Sequence, residues 1–222
     1  MNVIDLFKRI QQAAIDLVAP PMCAHCKIYI NERVIFCDRC RALIAPIVSI
    51  TIPVTAKLQV KVFAVSAYQE PIKSLILAKG WSDRCSCRLL GQLICTMPYM
   101  DNLAIDYLVP IPLHWTRFAK RGFNQAEEMA KIIAKHSQKP VVPLIKRCRQ
   151  TKFQSELSSA QRHTNVSEAF MINAKNPELY NGKHLVLIDD LMTTGSTLSC
   201  AAKELAKLKP ASITALVACR VV

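Results

Sequence analysis

Apolar runs and repeats divide most of the chain into elements. Leu185-Val-Leu-Ile188 is an uninterrupted apolar run, which predicts a buried strand. Leu198, Ala201, Ala202, Leu205 and Leu208 then recur at i, i+3, i+4 and i+7 spacing, which predicts an amphipathic helix. Val60, Val62 and Ala64 alternate along a strand expected to end near Tyr68. Pro71 opens a short helix running to Lys79, where Gly80 closes it, and Arg84–Met97 reads as a second helix. Tyr107–Ile111 is a strand. Ala126, Met129, Ala130 and Ile133 mark a helix beginning around Asn124, a strand is expected near Val141–Ile145, and Ile213–Cys219 supplies the last strand. Alternating strands and helices predict an α/β fold whose parallel sheet is wrapped on both faces. Upstream, Ile4, Phe7, Ile10, Ala14 and Leu17 repeat at helical spacing until Pro20-Pro21. Residues 46–56, with two prolines and no charge, read as a connection. The expected division is 1–45, a small amino-terminal helix and cysteine module, and 46–222, the α/β domain.

Chemistry gathers where predicted strands end. Asp189 and Asp190 follow the Leu185–Ile188 run, and the hydroxyl-rich turn Thr193, Thr194, Gly195, Ser196, Thr197 leads into the next helix. Open α/β sheets bind ligands at the carboxyl ends of their strands. A helix N-terminus there offers N–H groups and a partial positive charge suited to a phosphate. The carboxylates suit neutral hydroxyls or a hard cation. A phosphorylated sugar carrying Mg²⁺ satisfies both halves. No GxxxxGK[ST] or GxGxxG motif occurs. The Asp189–Thr193 stretch also lacks the Asp-x-Asp-x-Thr of a dehalogenase-type phosphate acceptor.

Two basic stretches add to this. Pro110 to Gln125 leaves a strand end carrying Arg117, Lys120 and Arg121, cations suited to a pyrophosphate. Arg147, Arg149, Lys152 and Arg162 lie in a polar stretch that reads as a basic loop able to fold over a bound anion. Trp115, Phe118, Phe123 and Phe153 are interleaved with these cations, as in grooves that hold single-stranded nucleic acid. Between Leu113 and His163 there are eleven Lys and Arg against three Glu, a local excess of eight within a net charge of +13. Lys120, Arg121, Arg147, Arg149, Lys152 and Arg162 are therefore the candidate DNA-facing cations.

Half of the 222 residues are apolar, enough for a sizeable core. The first twenty residues are interrupted by Asp5, Lys8, Arg9 and Asp16, so neither a secretory leader nor membrane insertion is expected. Ten cysteines in such a chain point to metal rather than disulfides. Cys23-x-x-Cys26 and Cys37-x-x-Cys40 are two knuckles ten residues apart, the pattern of a structural Zn²⁺ site closed by four thiolates.

The Asp189–Thr197 segment resembles the phosphoribosyl pyrophosphate (PRPP) loop of type I phosphoribosyltransferases. That resemblance implies that Asp189 and Asp190 hold the ribose 2′- and 3′-hydroxyls, and that Thr193 to Thr197 grip the 5′-phosphate. Over nearly its whole length the chain resembles the ComF (competence protein F, GntX-like) family. The shared parts occur in family order: the four knuckle cysteines, Pro110-Ile-Pro-Leu-His114…Arg121-Gly-Phe-Asn-Gln125, Arg149-x-Thr151-x-x-Gln154…Arg162-x-x-Asn165…Ala169-Phe170, and Asp189-Asp190-x-x-Thr193-Thr194-Gly195. The resemblance implies a type I phosphoribosyltransferase-like fold behind a zinc finger, with PRPP and Mg²⁺ at Asp189, Asp190, Leu113, His114, Arg117 and Arg121. It further implies a cytoplasmic role in natural transformation, handling single-stranded DNA alongside a competence helicase and other DNA-uptake proteins. One departure is Leu77-Ala78-Lys79-Gly80, where the family commonly has Lys-aromatic-x-Gly; Lys73 and Lys79 are the nearest substitutes. Three functions stay open at this point. They are transfer from PRPP to a nitrogen nucleophile, ligand binding coupled to a DNA surface, and nucleotide salvage with no DNA role.

Overall fold

The computed structural model describes residues 7, 11, 17, 20–30, 34–45, 49–56, 58–78, 83–148 and 169–221. The predicted helix over 4–17 and the 149–168 stretch fall outside these residues, apart from Phe7, Gln11 and Leu17. A single helical turn, α1 (Asp38–Arg41), follows the second knuckle. The five-stranded sheet comprises β1 (Ile50–Pro53), β2 (Gln59–Ala67), β3 (Tyr107–Pro110), β6 (His184–Met192) and β7 (Ser212–Arg220), in the order β1-β2-β7-β6-β3. Strands β2, β7, β6 and β3 are parallel, and β1 is antiparallel at one edge. The helices are α2 (Ile72–Ala78), α3 (Arg84–Cys95), α4 (Trp115–Arg121), α5 (Gln125–Ser137) and α6 (Ser196–Leu205). A second, two-stranded sheet pairs β4 (Ile145–Arg147) with β5 (Phe170–Ile172).

Alternation along the strands separates two cores, because successive side chains point to opposite faces. Val186 and Ile188 of β6, with Leu216 and Ala218 of β7, face a cluster built by α2, α3 and α5, among them Ile72, Leu90, Met129 and Ile133. Leu185, Leu187, Ala215 and Val217 face the other cluster, with Leu198, Ala201 and Leu205 of α6 and Ile145 and Phe170 of the small sheet. Both faces being covered explains the unbroken apolar run at 185–188. Cys23, Phe36 and Cys40 belong to the first cluster, so the knuckles pack onto the α2–α3–α5 face.

The chain's path fixes where a ligand can sit. From β2 it passes through α2 and α3 to β3, then through α5 to Val141, which bridges Leu108 on the outer side of β3. Both moves run toward one edge. From β6 it passes through α6 to β7 in the opposite direction, over the other face. The path therefore reverses between β3 and β6, and open α/β sheets bind ligands at the carboxyl ends of the strands at such a reversal.

Several elements differ from the sequence expectation. Residues 50–53, read as connection, form the edge strand β1; Pro53 ends it, a place where a missing N–H costs no ladder bond. The strand expected at 141–145 is a single bridge at Val141, and pairing resumes at β4 in the other sheet. The helix predicted to Met97 ends at Cys95, with a 3₁₀ segment at Pro98–Asn102. Helix α4 carries no apolar stripe of its own and was not expected.

Candidate functional site

Asp189 and Asp190 stand at the carboxyl end of β6, both half-buried. The Ile111 N–H donates to the Ile188 carbonyl at 2.9 Å, which holds the outgoing ends of β3 and β6 together just before the acidic pair. The Asp190 N–H donates to Asp189 Oδ1 at 2.9 Å and so fixes that carboxylate against the backbone. Pairing continues to Met192, opposite Arg220, so the strand is four residues longer than its apolar run.

The turn after it depends on Gly195. Its φ of +78° lies in the left-handed region, and a Cβ there would stand 2.8 Å from Met192 Cε and 3.5 Å from Ile52 Cγ2. As the residue preceding α6, Gly195 has no side chain with which to cap the helix, which leaves room for an anion beside the first turn. The Thr194 hydroxyl donates to Ser196 Oγ at 3.1 Å and accepts from the Ser196 N–H at 3.4 Å. Thr193 and Thr194 are exposed, while Ser196 and Thr197 are half-buried. Gly195→Ala is expected to destabilise the protein by about 1–2 kcal/mol, from left-handed strain and the Met192 contact. Urea unfolding checks this, and an unchanged midpoint would show that the turn yields.

Arginines from two separate segments approach one another here. Arg117 and Arg121 come from α4, which starts five residues after the end of β3, and Arg147 from the end of β4. Burial and then Arg117 draw Arg121 below the usual arginine range. Burial and Arg117 do the same to Arg147, with Asp189 opposing the shift. Arg117 thus lies within electrostatic reach of both Arg121 and Arg147, and Arg147 within reach of Asp189. Half-buried like charges repel, and a multiply charged anion relieves that repulsion. The two carboxylates supply hard oxygen donors of the kind that bind hydroxyls or Mg²⁺.

His114 is 5% exposed and precedes α4; its Nδ1 accepts from the Thr116 N–H at 3.4 Å and lies 2.9 Å from Thr116 Oγ1. It therefore builds the turn that aims Arg117, and Leu113 is half-buried beside it. Asn124 does similar work: Nδ2 donates to the Ile111 carbonyl at 3.0 Å and Oδ1 caps α5 through the Ala126 N–H. Gly122, at φ +76°, ends α4. Leu77 is exposed on α2, and Lys73 Nζ lies 5.9 Å from the Tyr68 ring centroid. Lys79 falls outside the described residues.

The Sγ atoms of Cys23, Cys26, Cys37 and Cys40 all lie within 4.8 Å of one another, and Cys26 and Cys37 are 3.7 Å apart. Tetrahedral Zn²⁺ with bonds of 2.3 Å separates sulfurs by roughly 3.8 Å, so the set fits that ion. Burial and the neighbouring sulfurs push Cys40 up to about 12. Burial also opposes ionisation of Cys23, but backbone N–H donors from Cys37, Cys26 and His25 hold it at about 6. A divalent cation removes this conflict by stabilising all four thiolates. His25 Nδ1 lies 3.4 Å from Cys40 Sγ and Nε2 3.4 Å from Glu70 Oε2, so the imidazole ties the knuckle to the α/β domain.

With this geometry in place, known proteins give the family. Competence protein F of Haemophilus influenzae is 30% identical over 155 residues, which cover 67% of each chain. The DNA utilization protein YhgH of Escherichia coli K12 is 31% identical over 168 residues, 72% of each chain. The chain belongs to the competence protein F family. The Bacillus subtilis competence protein ComFC is 38% identical over 107 residues, 48% of this chain and 41% of that one. The phosphoribosyl transferase domain family matches residues 118–221, a span that runs from α4 through the acidic pair to β7.

In this competence protein F family member, Trp115 is 71% exposed and Phe118 49% exposed, three residues apart and so on one side of α4. Phe123 is buried in the core. Lys120 lies on the same helix; its side chain, like Arg149, Lys152, Phe153 and Arg162, falls outside the described residues. Among the described residues, no helix is long and apolar enough to cross a membrane.

Proposed function

We propose that this protein binds PRPP·Mg²⁺ in the crevice between β3 and β6 and acts in natural transformation in the cytoplasm, where it handles incoming single-stranded DNA. The observation that carries the reading is the position of Asp189 and Asp190 at the carboxyl end of β6, where the sheet's path reverses, with Arg147 in electrostatic reach of Asp189 and Arg117. The turn and the start of α6 take the 5′-phosphate, Asp189 and Asp190 the ribose hydroxyls, and the arginines the pyrophosphate. The four cysteines hold a structural Zn²⁺ whose full coordination leaves no open position for chemistry. The transformation role follows the names of the relatives, and a helicase and other uptake proteins are the partners that role calls for.

The exposed Trp115 and Phe118 supply stacking faces for unpaired bases. Replacing both with Ala is expected to weaken single-stranded oligonucleotide binding by about tenfold to a hundredfold, since stacking contributes on the order of 1–3 kcal/mol per base. PRPP binding should stay within about threefold. Fluorescence anisotropy at several salt concentrations checks this. Affinity should also fall with salt, at a log–log slope of about −0.7 per phosphate neutralised. Unaltered DNA affinity in the double variant would remove α4 from the DNA surface.

The domain match favours a second reading, in which the phosphoribosyl group is transferred to a nitrogen nucleophile. C1′ would then pass through a cationic transition state while the arginines receive the departing pyrophosphate. Pyrophosphate release on addition of candidate acceptors tests turnover.

A further inference from the structure

The amino-terminal end of the sheet, opposite the acidic pair, carries a second basic surface. Lys139, Lys183 and Lys209 are all exposed there. Backbone hydrogen bonds set them in a row. The Leu108 N–H donates to the Pro140 carbonyl at 3.0 Å, which places Lys139 on the outer side of β3. Lys183 immediately precedes β6, and the next carbonyl, that of His184, accepts from the Asp106 N–H at 2.9 Å. The Gly182 N–H donates to the Lys209 carbonyl at 3.0 Å and the Ala211 N–H to the Lys183 carbonyl at 2.9 Å, so Lys209 stands beside Lys183 on the β7 side. With neighbouring strands about 4.8 Å apart, the three cations extend across roughly 14 Å of the sheet's end. Asp106 lies among them, and its Oδ2 accepts from the His184 N–H at 2.8 Å. That bond, with Lys183, His184 and Lys139 nearby, holds its carboxyl below the usual carboxylate range.

Two neighbouring features select the polyanion that suits this row. Tyr107 of β3 and Tyr180 are half-buried and meet edge to face at 5.0 Å, and the Tyr180 carbonyl accepts from the Lys183 N–H at 3.2 Å. Beside Lys139 a pocket of about 260 Å³ opens, lined by the buried Met100 and Ile105 and the exposed Asp101 and His136. An acidic protein segment would need only the charges. Aromatic rings and a small recess with apolar walls suit unpaired bases, which a duplex keeps stacked inside. Lysine, a point charge on a flexible stem, follows a phosphate backbone without demanding one geometry. We propose that Lys139, Lys183 and Lys209 form a second track for single-stranded nucleic acid, separate from α4, with phosphates on the lysines and an unpaired base at the pocket. Helix α4 follows the carboxyl end of β3, and the nine residues of β6 separate the two ends of the sheet by roughly 30 Å. A strand of about nine stacked nucleotides, at about 3.4 Å each, is therefore long enough to reach both surfaces. This rests on the reading of the protein as one that handles single-stranded DNA, and not on the sugar-phosphate loop.

The test is fluorescence anisotropy with a single-stranded oligonucleotide of about twenty nucleotides, longer than that span, across a range of salt. Wild type is compared with a variant carrying Lys139→Gln, Lys183→Gln and Lys209→Gln, with thermal unfolding alongside. The triple variant should bind about tenfold or more weakly at low salt. Its log–log salt slope should be shallower by about two, which is about 0.7 for each of the three contacts. Its Tm should match wild type, because the substituted side chains are exposed. The same loss should appear when the lysine substitutions are added to Trp115→Ala and Phe118→Ala, since distant surfaces contribute independently. Duplex DNA and polyglutamate should bind wild type more weakly than the single strand. Unchanged affinity and slope in the triple variant overturn the assignment, as does a loss that leaves the slope as it was. A duplex that binds as tightly as the single strand also overturns it, and so does equally tight polyglutamate, which would mark a dock for an acidic protein. Wild-type protein that binds no single strand removes the DNA-handling reading, and the assignment falls with it. That outcome is distinct from a failure at the lysines alone, in which Trp115 and Phe118 still govern binding.

Discussion

Replacing Asp189 and Asp190 together by Asn is expected to weaken PRPP·Mg²⁺ binding by a factor on the order of 10² to 10⁴ and to leave the fold intact. Hydrogen bonds to a charged partner contribute about 1.5–3 kcal/mol each, and two are lost or weakened. The substitution keeps side-chain size at two half-buried positions, and an Asn oxygen at 189 can still accept from the Asp190 N–H. Inorganic pyrophosphate should bind the variant nearly as well as wild type, because Arg117, Arg121 and Arg147 remain. Calorimetry with both ligands, alongside thermal unfolding, separates loss of the ribose grip from loss of structure. Equal PRPP affinity in the two proteins would show that the carboxylates do not face the ligand.

The second large effect concerns the cysteines. Cys40→Ser is expected to cost on the order of 3 kcal/mol or more, since a structural zinc contributes its binding energy to folding. For a chain of this size that corresponds to roughly 6–12 °C in Tm. The effect should spread beyond the knuckles, because Cys23, Phe36 and Cys40 share a cluster with Ile72, Leu90 and Met129. The Gln69 side chain, which donates to the Leu43 carbonyl at 3.4 Å, adds a polar tie across the same boundary. Metal analysis should give one zinc per wild-type chain, and a strong chelator should lower the wild-type Tm toward that of the variant. Wild-type protein that keeps its full Tm without metal would refute a structural zinc.

Much of this arrangement was legible in the sequence because it is local. The buried run at 185–188, the acidic pair, the small-residue turn and the stripe of α6 follow one another within about two dozen residues, and each has its own periodic or chemical signal. The doubled CxxC spacing was equally direct. What escaped was non-local or masked by composition. Residues 50–53 gave no strand signal because Pro53 and the lack of charge resemble a linker, and only pairing with β2 makes them a strand. Helix α4 is too polar to show a stripe and is defined by its ends, the His114 turn and Gly122. The family resemblance makes His114 a PRPP contact, and the structure adds a contact with no sequence signal, its Nδ1 against Thr116 in the turn before α4. Arg147 and Phe170 are separated by the undescribed stretch, so their pairing, and the placement of Arg147 near Asp189, had no sequence signature.

The most direct measurement is a crystal structure of the protein with PRPP and Mg²⁺ bound. The 5′-phosphate should lie against the Thr193–Thr197 turn and the first N–H groups of α6, the ribose hydroxyls on Asp189 and Asp190, and the pyrophosphate toward Arg117 and Arg147. PRPP seated elsewhere, or a crevice between β3 and β6 left without ligand at saturating PRPP, would contradict the assignment.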